Sequence, residues 1–555
     1  MYRRFAAFII ALLVAMPFGT GVPAGQARSA AVVPAPISEQ EVREYLTYIA
    51  SDGLEGRATY TEGLGLAAAY IAQHLTEWGL QPGGDNGTYF QRVPNYGVRT
   101  TRQSTVTVTA GGETRTFRDA EGFLLPANQG GRQTLTFEAV EFAGYGLSVP
   151  EAKHDDYAGA GVKGKLVMIA GRTPSVLRAA QYGRLVNARG RFATEMKGAA
   201  AVIQATGFTA PAAQAAPTPA GRGGRGGAPV APDFTTAQRY DRPIPPVVTA
   251  GDELAAFILS AAPGGYAEIK RKADAGEPLG RLTIPATVRI DVAPVYDVVR
   301  TQFSRNVIGV VPGTDPALRE TFVAFGAHYD HVGVIEGAAR PNPRARPDDR
   351  IFNGADDDGS GTVALMAIAR AFAQGERPKR SLMFVWHTAE EGGLRGSRYN
   401  ADQVDPAKMA AVLNIDMIGR NANDDPANAN QVFIIGGDRI STELHNINED
   451  ANASLPKPLG LDYALNDPAD PESLYTRSDH YSYAARGIPI VFFFTGLHPD
   501  YHQVSDEVEK INFEKLARVA RLVAETGRRV ANLDQVPVRD NRGPRAGKGF
   551  RGKLK

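Results

Sequence analysis

The stretch Phe384 to Gly393 reads FVWHTAEEGG, an apolar run that ends on two adjacent carboxylates, Glu390 and Glu391, and a pair of glycines. Like charge and burial both oppose ionisation of two carboxylates at the end of a buried strand, so a cation or protons must neutralise them. Other parts of the chain offer that cation further donors in similar settings. His328 and Asp330 follow the apolar run TFVAFGA, Asp357 lies in GADDDGSG, Asp416 closes VLNID, and His502 follows IPIVFFFTG within HPDYHQVSD. Two imidazoles and three carboxylates, brought by separate strand ends to one rim of a sheet, suit a pair of zinc ions.

Each position has a division of labour that its neighbours suggest. Asp330 sits two residues after His328, close enough for a carboxylate to orient a metal-bound imidazole. Of Asp356, Asp357 and Asp358, one is expected to ligate, while the others cap the helix that begins GSGTVALM and complement its dipole. Neighbouring residues diverge in direction, so one of Glu390 and Glu391 can ligate while the other faces a water as proton carrier. His387 is assigned no catalytic role, and Asp479-His480 in TRSDHYSY reads as structural or substrate-lining. An HExxH motif is absent, and no GxSxG falls at a strand-to-helix turn, so the nucleophilic-serine alternative lacks its elbow.

The elements that must position these residues follow from periodicity. The second half alternates near-continuous apolar strands (FVAFGA, SLMFVW, AAVLNIDMI, QVFIIGG, IPIVFFFTG) with amphipathic helices (GTVALMAIARAFA, a segment near Thr442 to Ala451, and FEKLARVARLVAETGRRVA). That pattern predicts an α/β fold, a mostly parallel mixed sheet flanked by helices, with function at the strand ends. Toward the amino end, Ser38-Glu39-Gln40-Glu41 has capping-box spacing, a second helix is expected over Gly65 to Trp78, and strands between Thr100 and Leu125. From Gln133 the texture changes to short strands and turns, which predicts an inserted β-rich module over 133–292 that interrupts a discontinuous catalytic domain of 36–132 and 293–533. Within it, residues 211–232, with the repeat GRGGRGG, are too poor in apolar side chains to order and are expected to be a solvated loop. The basic, glycine-rich residues 534–555 are expected to be a disordered tail.

Composition bounds the function classes. The chain has 555 residues and a formal net charge of +1, so no global field recruits nucleic acid or an anionic membrane. Cysteine is absent, which excludes disulfides, thiolate metal sites and cysteine nucleophiles. Residues 1–27 run from Arg3 and Arg4 through an apolar segment to Ala24-Gly25-Gln26-Ala27, the order of a secretory signal. The expectation is export to the periplasm or medium, with no stable membrane anchor after signal removal.

The ordered set HYD, GADDDGSG, HTAEEGGLRGS, NIDMIG and YHQVSDEV, spanning about Phe322 to Val530, resembles the co-catalytic zinc aminopeptidase family of aminopeptidase Y and bacterial secreted leucyl aminopeptidases. ASDGLEGRATYTEGLGLAAAYIAQHL and GLQPGGDNGTYFQRVP are similar to the amino-terminal part of bacterial members, and the insert resembles a protease-associated domain. The resemblance implies two zinc ions per chain, with His328 and Asp416 on one, Glu391 and His502 on the other, and Asp357 bridging. It implies Glu390 as general base to a zinc-bound water, Asp330 as the partner behind His328, and Tyr501 as stabiliser of the oxyanion. Peptides or proteins would be the substrates, cleaved at the free amino end. Relatives also act as dipeptidases, carboxypeptidases or one-zinc glutaminyl cyclases, and some keep the fold as receptors after losing ligands, which this chain has not.

Overall fold

Strand Phe322–His328 has buried side chains on both faces, and they divide by parity: Val323, Phe325 and Ala327 enter one apolar core while Ala324 enters another. A strand of this kind must lie in a sheet covered on both sides. The computed structural model describes residues 37–149, 152–179, 182–205, 234–337 and 342–555. The expected signal over 1–27 and the loop over 211–232 lie outside them.

The main sheet is ordered Thr235–Ala237, Phe90–Thr101, Val295–Val311, Ser381–His387, Phe322–His328, Met409–Ile415, Ile490–Phe494, Gln431–Ile435 and Gly460–Asp462, with Gln81–Pro82 paired to Val295–Val311. Its four middle strands, from Ser381–His387 to Ile490–Phe494, are mutually parallel, and the strands on either side of this block join it antiparallel. The sheet is therefore mixed and parallel at its centre, so four strand ends open on the same rim. One face is covered by helices Glu39–Ile49, Glu62–Glu77, Gly361–Gln374, Thr442–Ala453 and Phe513–Ala531, whose apolar stripes share a core with the sheet. Helices Arg395–Gln403 and His480–Ala484 lie on the other face, contributing Ala401, Tyr481 and Tyr483 to its core. Ser38 caps the first helix, its hydroxyl accepting from the Glu41 N–H.

The inserted module has a six-stranded sheet, Arg281–Ile284, Val140–Ala143, Leu166–Ala170, Ala201–Ala205, Val247–Ala250 and Phe123–Leu124, and a four-stranded one, Glu113–Arg118, Thr105–Ala110, Thr287–Val292 and Gln133–Phe137. It therefore begins near Thr105, earlier than the boundary expected at 133. Alternation of Val106 and Val108 identifies a strand, but the choice of sheet depends on Val288 and Ile290, which lie opposite them and far away in sequence. Residues 534–555 also differ from expectation. They contain no helix or strand, yet Asp438 accepts the N–H groups of Arg545 and Ala546, and the Phe550 ring meets Tyr463 edge-on at 5.4 Å. Those anchors are backbone groups and one aromatic ring, which a basic, glycine-rich composition does not reveal. Among the described residues no helix is long and apolar enough to cross a membrane.

Candidate metal centre

All the expected ligands come together where the four parallel strands end. His328 is the last residue of its strand; its N–H donates to Asp358 Oδ2 at 3.1 Å and its Nδ1 lies 3.0 Å from the Asp330 main-chain carbonyl oxygen. That fixes the ring so that Nε2 faces Asp357 Oδ1 at 3.3 Å, Asp416 Oδ2 at 3.7 Å and Glu390 Oε2 at 4.0 Å. Asp416 follows directly on Met409–Ile415, and Glu390 and Glu391 occupy the turn after Ser381–His387. His502 lies in the loop beyond Ile490–Phe494, with Nε2 at 3.0 Å from Asp357 Oδ2 and 3.1 Å from Glu391 Oε1. Asp357 is held from behind, because Asp506 Oδ2 accepts the N–H groups of both Asp356 and Asp357.

The donor atoms fall into two groups that share Asp357: His328, Asp357 and Asp416, and His331, Asp357, Glu391 and His502. Within each group the atoms lie within 4.8 Å of one another. Asp357 Oδ2, Glu391 Oε1 and both ring nitrogens of His331 are buried without a hydrogen-bond partner. Orphaned buried polar atoms are costly, and here they converge. A nitrogen-and-oxygen donor set of this size fits a small divalent cation in each group.

The electrostatics separate the adjacent glutamates. Burial pushes the Glu390 carboxyl well up, with Glu391, Asp479 and Asp416 adding to burial and His328 only partly opposing it. Burial would do the same to Glu391, but His331 and His502 beside it outweigh that and hold it down at about 2. Burial disfavours the charged His502 ring, yet Asp357 and Glu391 raise it to about 10. One carboxylate is thus held ionised among imidazoles while burial raises the proton affinity of its neighbour.

Asp330 differs from expectation in how it acts. Its carboxylate is 3.9 Å from His328 Nδ1, and the shorter contact belongs to its main-chain carbonyl. The carboxylate instead accepts the Glu390 N–H at 3.0 Å and the Thr59 hydroxyl at 3.3 Å, and burial raises it to about 6. His387 pairs with Asp479 at 3.2 Å and with the Tyr483 hydroxyl at 2.8 Å, while His480 stacks on Phe492 and contacts the Tyr475 carbonyl. Tyr501 stacks on the His502 ring at 4.0 Å, and its oxygen accepts from Arg477 Nη2 at 3.2 Å. The cleft beside these residues is lined by apolar Met417, Leu474, Phe492, Phe494 and Leu497.

His331, Asp506, Arg57 and Arg477 escape the sequence reading. For His331 there was a signal: it is the second imidazole in the segment AHYDH, in a chain with only nine histidines. For Arg57, in LEGR, there was none.

Residues 306–527 match peptidase family M28. A probable leucine aminopeptidase of Trichophyton verrucosum is 28% identical over 229 residues, covering 39% of this chain and 54% of the relative. Leucine aminopeptidase 1 of Ajellomyces capsulatus is 30% identical over 240 residues, covering 40% and 54%. The chain thus spans about half the length of the curated relatives it matches. Among solved structures, an aminopeptidase from Aneurinibacillus sp. strain AM-1 aligns over 90% of this chain and 96% of its own, at 19% identity and a TM-score of 0.43.

Proposed function

From the peptidase family M28 domain over residues 306–527, we propose that this protein is an exported, zinc-dependent exopeptidase that hydrolyses the peptide bond nearest the free amino end of its substrates. The observation that carries the proposal is the position of Asp357. One of its oxygens faces His328 at 3.3 Å and the other faces His502 at 3.0 Å, so a single carboxylate serves both donor groups. His328 and Asp416 would hold one zinc, Glu391 and His502 the other, with Asp357 between them. Zinc bound there would polarise the scissile carbonyl and lower the pKa of water toward neutrality.

The chain's own residues do the rest. Glu390 belongs to neither donor group, and its carboxylate reaches within 4.0 Å of His328 Nε2. A buried carboxylate with raised proton affinity can take a proton from the attacking water and pass it to the leaving amine. The Tyr501 oxygen already accepts from Arg477, which leaves its O–H to donate to the carbonyl oxygen as that atom gains charge. The preference for the amino end is taken from the aminopeptidase names of the relatives. The apolar cleft suits an apolar first side chain, in keeping with the leucine in the names of the fungal relatives. Export is proposed from the order of basic, apolar and small residues over 1–27.

The test is Glu390→Gln, assayed on leucine p-nitroanilide with zinc content measured in the same sample. Turnover should fall by roughly 10²–10⁴-fold while zinc is retained. Undiminished turnover in the zinc-loaded variant would remove Glu390 from the mechanism. A zinc-loaded wild type that releases nothing from amino-end substrates would overturn the proposal as a whole.

A further inference from the structure

His331 has no role in the scheme above, although its ring is fully buried in the centre. Its backbone is fixed, because the His331 N–H donates to the Arg57 carbonyl at 3.1 Å. Its Nδ1 lies 3.0 Å from Glu391 Oε1 and 3.8 Å from Asp357 Oδ2. None of those three atoms makes a hydrogen bond. A ring nitrogen and a carboxylate oxygen at that separation would ordinarily align as donor and acceptor. Here they do not, and both oxygens also face His502 Nε2 at 3.0 and 3.1 Å. The two imidazoles meet nearly edge-on, with ring centroids 5.6 Å apart.

We propose that His331 is a fourth protein donor to the zinc that Asp357, Glu391 and His502 hold, an assignment that rests on the zinc peptidase reading above. The two donor groups are then unequal. Four nitrogen and oxygen donors complete a tetrahedron, as in closed structural zinc sites, whereas His328, Asp357 and Asp416 leave a position open, as catalytic sites do. The open group is also the one whose His328 Nε2 lies 4.0 Å from Glu390 Oε2. His331 thereby gives the centre an order: the four-donor group fills first and releases last, and the three-donor group exchanges.

The experiment titrates the metal-free protein with zinc in competition with a chromophoric chelator, in the wild type and in His331→Gln. In the wild type two equivalents should bind with clearly different affinities. In the variant the tighter equivalent should weaken by more than about 100-fold, beyond the roughly 10–100-fold that loss of a residue standing behind a ligand costs, and the weaker one should move little; a smaller loss would place His331 behind Glu391 and not on the zinc. Unchanged affinity for both equivalents would overturn the role of His331. A wild type that fails to bind two equivalents would instead overturn the two-zinc reading, so the two failures are distinguishable. Should the variant not fold, X-ray absorption of the zinc-loaded wild type decides: three imidazoles shared by two zincs support the proposal, and two refute it.

Discussion

Asp330 is a buried carboxylate whose two hydrogen-bond donors, the Glu390 N–H and the Thr59 hydroxyl, come from different parts of the chain. Its charge fixes the start of the turn that presents Glu390 and Glu391. Asp330→Asn keeps the shape and weakens the acceptor, so kcat on an amino-acid anilide should fall about 10–100-fold, the usual effect of disturbing the shell behind metal ligands, with zinc content unchanged. Glu507 allows a second prediction, on stability. Burial, helped by Asp349 and opposed by Asn353 and Arg346, raises its pKa from 4.5 to about 7. Between those values the folded protein keeps a proton that the unfolded chain has released, so stability falls as pH rises through the window and the penalty is complete above about 7. Glu507→Gln should therefore match the wild-type thermal midpoint near pH 4.5 and exceed it above pH 7; a constant difference would contradict this. At this scale the convergence of His328, Asp357, Asp416, Glu391 and His502 on one rim was legible because four of them close or follow an apolar run and Asp357 precedes a helix. His331, the second histidine of AHYDH, went unassigned because a sequence does not show which way its ring turns; its backbone is held by the carbonyl of Arg57, more than 270 residues earlier in the chain.

At the scale of elements, the rim of the sheet is held by a buried cation that touches no carboxylate. The Arg57 guanidinium donates to the carbonyl oxygens of Ile49, Tyr329, Asn353 and Gly354 at 2.6 to 3.0 Å, joining the first helix to the loops that bear His331 and Asp357. Burial lowers its pKa to about 10, with Asp330, Asp357 and Asp506 opposing that shift. Arg57→Met would take this donor from all four carbonyls, of which Gly354 keeps the Gly359 N–H. A hydrogen bond to a charged group contributes about 1.5–3 kcal/mol, so a loss of at least ~3 kcal/mol in urea unfolding is expected. A loss below ~1 kcal/mol would mean that water replaces the guanidinium. The strands and helices were legible from period, since each apolar run could be placed on one face or another. The link between them was not, because an arginine eight residues past the first helix reads as a surface residue until its carbonyl partners are known.

For the whole molecule, the change of texture near Gln133 falls in a stretch whose strands form sheets separate from the main one, but the first strand of those sheets, Thr105–Ala110, lies before it. The module's second sheet takes Thr105–Ala110 from before the expected boundary, and pairing across such a distance leaves no local mark. The long antiparallel pair that joins the main sheet to the module explains how the division works. Phe90–Thr101 runs against Val295–Val311 from Phe90 opposite Val307 to Thr101 opposite Val295. The two ends of the module therefore leave the main sheet side by side. For the folding chain, closing that pair unaided would mean ordering a loop of nearly two hundred residues, whose entropic penalty and slowness grow with its length. Because the module has a core of its own, it holds Thr101 and Val295 beside each other and serves as the turn of an outsized hairpin in the main sheet.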